Sequence, residues 1–106
     1  MLRIIKDDEF VDVFEGDKPI VLTFFADWCG PCKLQHPVLE KMASKPEFKD
    51  VEFVKINIED SSIAAAFNIL SIPQTVLLRD TEEVKRLVGY KSDKELTKEV
   101  KEAFNL

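Results

Sequence analysis

The chain has 106 residues, of which 45% are hydrophobic and 33% charged, and its 15 basic against 20 acidic side chains leave a formal charge of −5. That length buries one core rather than two, and that composition excludes both a disordered chain and a disulfide-dense scaffold. The negative balance opposes association with nucleic acid or an anionic membrane surface, so neither is expected as a partner.

No repeat, low-complexity tract or Pro/Gly-rich linker breaks the chain, and a single domain over residues 1–106 is expected. Arg3 and Lys6 open the chain without an apolar run behind them long enough for a signal core or a membrane span, so a cytoplasmic location is expected. In chain order, "LRII" is a weak first strand. "DDEFVDVFEG" places Phe10, Val13 and Phe14 at helical spacing, with acidic residues at the positive end of the dipole and a stop at Gly16. "PIVLTFFA" is a near-continuous run of branched and aromatic residues, the pattern of a central strand buried on both faces.

That strand runs into "DWCGPCKLQHP", which holds the only two cysteines, the only tryptophan and the only histidine. Beyond it, "KLQHPVLEKMAS" predicts a helix with Leu34, Val38, Leu39 and Met42 on one stripe and a kink at Pro37. "VEFVKINIE" reads as a strand, and the helix between it and the preceding strand makes a right-handed βαβ unit with parallel strands. "DSSIAAAFN" predicts a helix capped by Asp60 or Ser61. "IPQTVLLR" and "EVKRLVGY" predict an antiparallel hairpin across an acidic turn. A final helix over "SDKELTKEVKEAF" carries a Ser92…Glu95 capping box and a stripe of Leu96, Val100 and Phe104. The order βαβαβαββα predicts an α/β fold, a mixed sheet of four to five strands flanked by about four helices.

Cys29 and Cys32 admit three readings: a metal clip, a stapled turn or a reactive dithiol. A reducing cytosol does not sustain structural disulfides, which disfavours the staple. Zinc usually joins such a pair to two further ligands, and only His36 lies near; an iron–sulfur cluster would need thiolates from two copies. No metal is expected. A helix beginning near the first cysteine would aim its free N–H groups and positive dipole end at that sulfur and favour the thiolate. Pro31 suits the first helical turn, and Gly30 lets a partner's backbone come close. His36 reads as a partly exposed helix residue or as a group tuning Cys32. Trp28 reads as core or as a flat contact surface beside Cys29, with contact favoured. Local signals make Gly89 a strand end and do not assign the isomer of Ile72–Pro73.

"FFADWCGPCK", Ile72–Pro73 in "SIPQT", Lys55 in "FVKINIED" and Gly89 in "LVGYKS" together resemble the thioredoxin family along the whole chain. The resemblance implies a thioredoxin fold and a thiol–disulfide oxidoreductase that reduces protein disulfides and serves cell redox homeostasis. In that reading Cys29 attacks a substrate disulfide and Cys32 resolves the mixed disulfide. The dithiol is the only cofactor; disulfide proteins and a thioredoxin reductase or equivalent donor are the partners of a monomer. The resemblance also implies a cis-Pro73 loop against the dithiol, with the Ile72 backbone pairing with an extended substrate segment. Trp28, Gly30, Pro31, Gln74 and Gly89 complete the implied groove.

The match breaks at Thr23, where family members usually carry a buried aspartate in the strand before the motif. A neutral hydroxyl there removes a charge that would oppose thiolate formation, and leaves Lys55 without its usual partner. More acidic thiols and a more oxidising couple are expected, with water, His36 or the departing thiolate serving the resolving step. Phe25 stands where a second tryptophan is common, Gln74 where threonine is usual, and "RDTEEV" replaces a glycine-containing turn. The rival readings are a disulfide oxidase or isomerase, a reductant dedicated to one partner, and a noncatalytic binding subunit.

Overall fold

The computed structural model describes residues 1–106 and orders the elements as β1 (Leu2–Ile4), α1 (Asp7–Phe14), β2 (Ile20–Phe25), α2 (Gly30–Ala43), β3 (Glu52–Asn57), α3 (Ile63–Ala66), β4 (Gln74–Arg79), β5 (Glu82–Val88) and α4 (Asp93–Phe104). Short 3₁₀ turns at Pro46–Phe48 and Ile58–Asp60 flank β3. The five strands form one sheet in the order β1-β3-β2-β4-β5. β1, β3 and β2 run parallel, β4 pairs antiparallel with β2, and β5 closes the hairpin with β4.

Every residue of β2 is buried, as a strand in the middle of a sheet covered on both faces requires. Its side chains alternate between two cores. Val21 joins Phe53 and Leu77 beneath Leu39 and Met42 of α2 and Leu96, Val100 and Phe104 of α4. Ile20, Leu22 and Phe24 join Val54, Ile56, Val76 and Leu78 against Phe10 and Val13 of α1 and Ala64 of α3. The strand that ends at the cysteines is therefore gripped from both sides.

Local chemistry explains the boundaries. α4 starts on the expected capping box: Ser92 Oγ accepts the Glu95 N–H at 3.2 Å, and Glu95 Oε1 accepts the Ser92 N–H at 3.1 Å. α3 is shorter than its sequence pattern suggests, a single turn from Ile63 to Ala66. Ser61 Oγ accepts the Ile63 N–H at 3.0 Å, whereas Asp60 turns outward to an ion pair with Lys6. The hairpin needs no glycine because Asp80 and Thr81 take the left-handed region themselves, with φ of 53° and 64°.

The stripe on α2 differs from the expectation. Leu34 is exposed, and the buried register runs Cys32, Gln35, Leu39, Met42. These positions step by three, four and three residues along one face. Gln35 occupies the place assigned to a hydrophobe because its carboxamide is fully matched: Nε2 donates to the Lys91 carbonyl at 2.9 Å, and Oε1 accepts the Lys91 N–H at 2.8 Å. A buried polar group so paired costs little.

Candidate active site

The end of β2 hands the chain through Ala26, Asp27 and Trp28 to Cys29, which is the N-cap of α2. Its extended backbone lets Sγ accept the Cys32 N–H at 3.2 Å, one of the free amides of the first turn. Pro31 sits in that turn, where its missing N–H leaves no gap. Cys29 and Cys32 are joined by a disulfide, with Cα atoms 5.3 Å apart. Both are nearly buried, packed with Phe25 and Ala26 and against Ile58 and Ile72. A Cβ added at Gly30 would meet nothing, so open space adjoins the pair.

The loop that carries Ile72 packs against the disulfide. The Ile72–Pro73 peptide is cis. The Pro73 carbonyl accepts the Gly89 N–H at 2.8 Å, and Gly89 holds a φ of 86° that favours glycine. The Gly89 loop is fixed again two residues on, where Gln35 grips Lys91. Trp28 is 67% exposed and Leu70 86%, and Val88 at the end of β5 and Tyr90 just past it are also open. Trp28 is thus a surface residue rather than core.

Gln74 lies elsewhere than expected. Its side chain is buried on the α1/α3 face of β4, with Nε2 donating to the Ser71 carbonyl at 3.0 Å and Oε1 accepting from Arg86 Nη1 at 3.1 Å. The same Arg86 nitrogen donates to the Phe67 carbonyl at 2.7 Å. Both ends of the carboxamide are engaged inward, so Gln74 braces the loop before Pro73 and offers no side chain to a groove.

Behind the disulfide, Thr75, Thr23 and Lys55 stand in register across β4, β2 and β3. The Thr23 and Thr75 hydroxyls are 2.8 Å apart and satisfy each other in the buried layer. Lys55 lacks the carboxylate partner that an aspartate at position 23 would supply, as expected, and pairs with a histidine instead. Its Nζ lies 2.9 Å from His36 Nδ1 and 4.1 Å from the centroid of the Phe25 ring. Burial holds the ammonium below the usual lysine range, while the Asp27 and Glu40 carboxylates pull the other way. His36 Nε2 faces Glu40 Oε1 at 3.6 Å. A cavity of about 330 Å³ opens among Phe25, Asp27, Cys32, Lys33, His36 and Lys55. A larger one, about 480 Å³, is lined mostly by charged residues of β1, α1 and its following loop and shares no residue with the dithiol site.

Sequence reasoning missed Gln35, Thr75 and Arg86. Gln35 falls in the register set by Cys32, Leu39 and Met42, which is the signal that could have found it. Thr75 and Arg86 depend on strand pairing that only the folded sheet supplies.

A family model described as Thioredoxin matches residues 2–102. The chain belongs to the thioredoxin family. It is 44% identical over 90 residues to a thioredoxin of Mycoplasma genitalium, covering 84% of each chain. Thioredoxin H2 of Arabidopsis thaliana is 39% identical over 92 residues, 86% of this chain and 67% of that one. Among solved structures, thioredoxin from Malassezia sympodialis superposes with a TM-score of 0.88 at 31% identity, covering 97% of this chain and 90% of that chain. Thioredoxin NaTrxh from Nicotiana alata gives 0.86 at 33%, over 96% and 91%. Membership and the Cys29–Cys32 pair together make the chain a thiol–disulfide oxidoreductase. Thioredoxin chemistry resides in the cysteine pair itself. No helix is long and apolar enough to cross a membrane.

Proposed function

We propose that residues 1–106 act as one domain that reduces protein disulfides, with Cys29 as nucleophile and Cys32 as resolving thiol. The observation that carries the assignment of roles is the hydrogen bond from the Cys32 N–H to Cys29 Sγ. It gives the first sulfur the positive end of α2, which stabilises a thiolate there. The Cys29 thiolate attacks one sulfur of the substrate disulfide, the other sulfur leaves with the electron pair, and a mixed disulfide forms. Cys32, once deprotonated, attacks Cys29 Sγ, releases the second substrate thiolate and regenerates the intramolecular disulfide.

The substrate is an extended segment of a disulfide-containing protein. Ile72 beside cis-Pro73 offers its backbone for strand-like pairing, Gly89 and Gly30 leave room for a close main chain, and Trp28 and Leu70 supply exposed apolar contact. A separate reductase of the thioredoxin reductase class recharges the disulfide, and the protein works as a monomer in the cytoplasm.

A coupled assay with a pyridine-nucleotide-dependent thioredoxin reductase and insulin tests this reading, with turnover as the expected result. Cys32→Ser should trap a mixed disulfide through Cys29, and Cys29→Ser should abolish both trapping and turnover. Biological activity that survives Cys29→Ser, with disulfide reduction lost, would mark a noncatalytic clamp and overturn the proposal.

A further inference from the structure

The resolving step requires Cys32 to lose a proton inside a nearly closed site, and the buried row beneath it holds no carboxylate. Thr23 and Thr75 are neutral and spend their hydroxyls on each other. The remaining member of the row is Lys55, whose Nζ reaches His36 Nδ1 at 2.9 Å. Cys32 and His36 are four residues apart on one face of α2, and both border the 330 Å³ cavity into which Lys55 also opens.

We infer that His36, reached through Lys55, takes the proton that Cys32 gives up when it resolves the mixed disulfide. The inference rests on the dithiol-exchange reading above and adds the route of the proton.

The hydrogen-bond chemistry sets the starting state. An ammonium can only donate, so His36 Nδ1 is the acceptor, and the ring is neutral with its proton on Nε2, the atom turned toward Glu40. As the Cys32 Sγ–H bond breaks, its proton passes to Lys55 Nζ, directly or across one water in the cavity, while Nζ hands a proton to Nδ1. One proton leaves sulfur, one arrives at imidazole, and Lys55 ends as the ammonium it was. The imidazolium so formed lies against the Glu40 carboxylate and is partly exposed, so it can release its proton to solvent. Imidazole is the side-chain group suited to this exchange near neutral pH.

The other charged groups around the path are Asp27 at the cavity wall, Lys33 on α2 and Glu40 one turn beyond His36; from β1 only Ile4 reaches the cavity. Asp27 and Glu40 favour the ammonium and burial opposes it, with burial the larger effect, which eases the hand-over to His36. Lys55 also sits where its charge attracts a Cys32 thiolate.

Stopped-flow mixing of the fully reduced protein with 5,5′-dithiobis(2-nitrobenzoate) separates the two steps. The first thionitrobenzoate released reports attack by Cys29, and the second reports resolution by Cys32. In the unaltered protein the second release should rise with pH through an inflection that reports its general base. His36→Ala should erase that inflection and slow the second release at neutral pH about tenfold or more, leaving the first release unchanged. Lys55→Met, which keeps the packing volume, should slow the second release similarly. Added imidazole should restore the second release of His36→Ala in proportion to its concentration. An inflection that persists in His36→Ala, or no response to imidazole, overturns the inference while leaving dithiol exchange intact. Absence of even the first release from the unaltered protein overturns the reductase reading and this inference together.

Discussion

Gln35 and Lys91 exchange two hydrogen bonds, side chain to main chain, at 2.9 and 2.8 Å, and so join the helix that carries the dithiol to the loop that carries Gly89. Gly89 in turn donates to the Pro73 carbonyl. The dithiol helix, the Gly89 loop and the Pro73 loop are therefore linked in series. Gln35→Leu removes both bonds and strands two main-chain groups, so it should lower stability by about 2 kcal/mol in urea unfolding. It should also raise KM for a disulfide protein more than it lowers kcat, because the groove loosens while the thiols stay in place.

The neutral Thr23–Thr75 pair bears on thiol reactivity. Thr23→Asp places a carboxylate in the row below Cys32, beside Lys55, and a negative charge there disfavours a second one on sulfur. The reduced wild type should therefore react with iodoacetamide at pH 6 faster than Thr23→Asp, by about tenfold, and should be the more oxidising of the two against a reference dithiol. Equal alkylation rates would remove Thr23 from any part in tuning the site.

Asp7 ties α1 to the segment before α3. Its carboxylate accepts from the Ser61 hydroxyl and from both the N–H and hydroxyl of Ser62. The Ser61 bond above all, with the Ser62 bonds adding to it against the cost of burial, holds this carboxyl below the ordinary aspartate range. A depressed folded-state pKa stabilises the fold above the unfolded aspartate pKa of about 3.9 and ceases to do so as pH falls through the folded value. Asp7→Asn should accordingly melt a few degrees below wild type at pH 7, and the gap should narrow as melting is repeated at pH values below about 4.

Thr81 is a β-branched residue held at a φ of 64° in the β4–β5 turn. L-residues avoid that region and glycine does not, so Thr81→Gly should raise stability by about 1 kcal/mol. Its exposed hydroxyl bonds only the adjacent Asp80 carbonyl, so little is lost. A lower melting temperature for the glycine variant would show that this turn bears no strain.

Much of this architecture was legible in the sequence, because its signals are local. The unbroken apolar run at β2, the capping box of α4 and the two strand runs of the hairpin across their acidic turn each declare themselves within a dozen residues. The cysteine pair was legible for the same reason, since a strand end followed by Gly-Pro fixes where a helix opens. What stayed hidden depends on register between distant segments. Lys55 finds His36 across nineteen positions, Thr23 finds Thr75 across fifty-two and Gln35 finds Lys91 across fifty-six. Such pairings gave Lys55 a partner other than the family's aspartate and put Gln35, rather than Leu34, on the buried stripe. Gln74 was misplaced because adjacency to Pro73 says nothing about which face of β4 its side chain takes.

The sulfur that trades electrons is also the atom that receives the amide proton of Cys32 and opens α2. Each change of its covalent partner alters the acceptor at that backbone position. The nitrogen-15 resonance and solvent-exchange rate of this one amide therefore serve as a built-in gauge of oxidation state, readable without labelling either thiol.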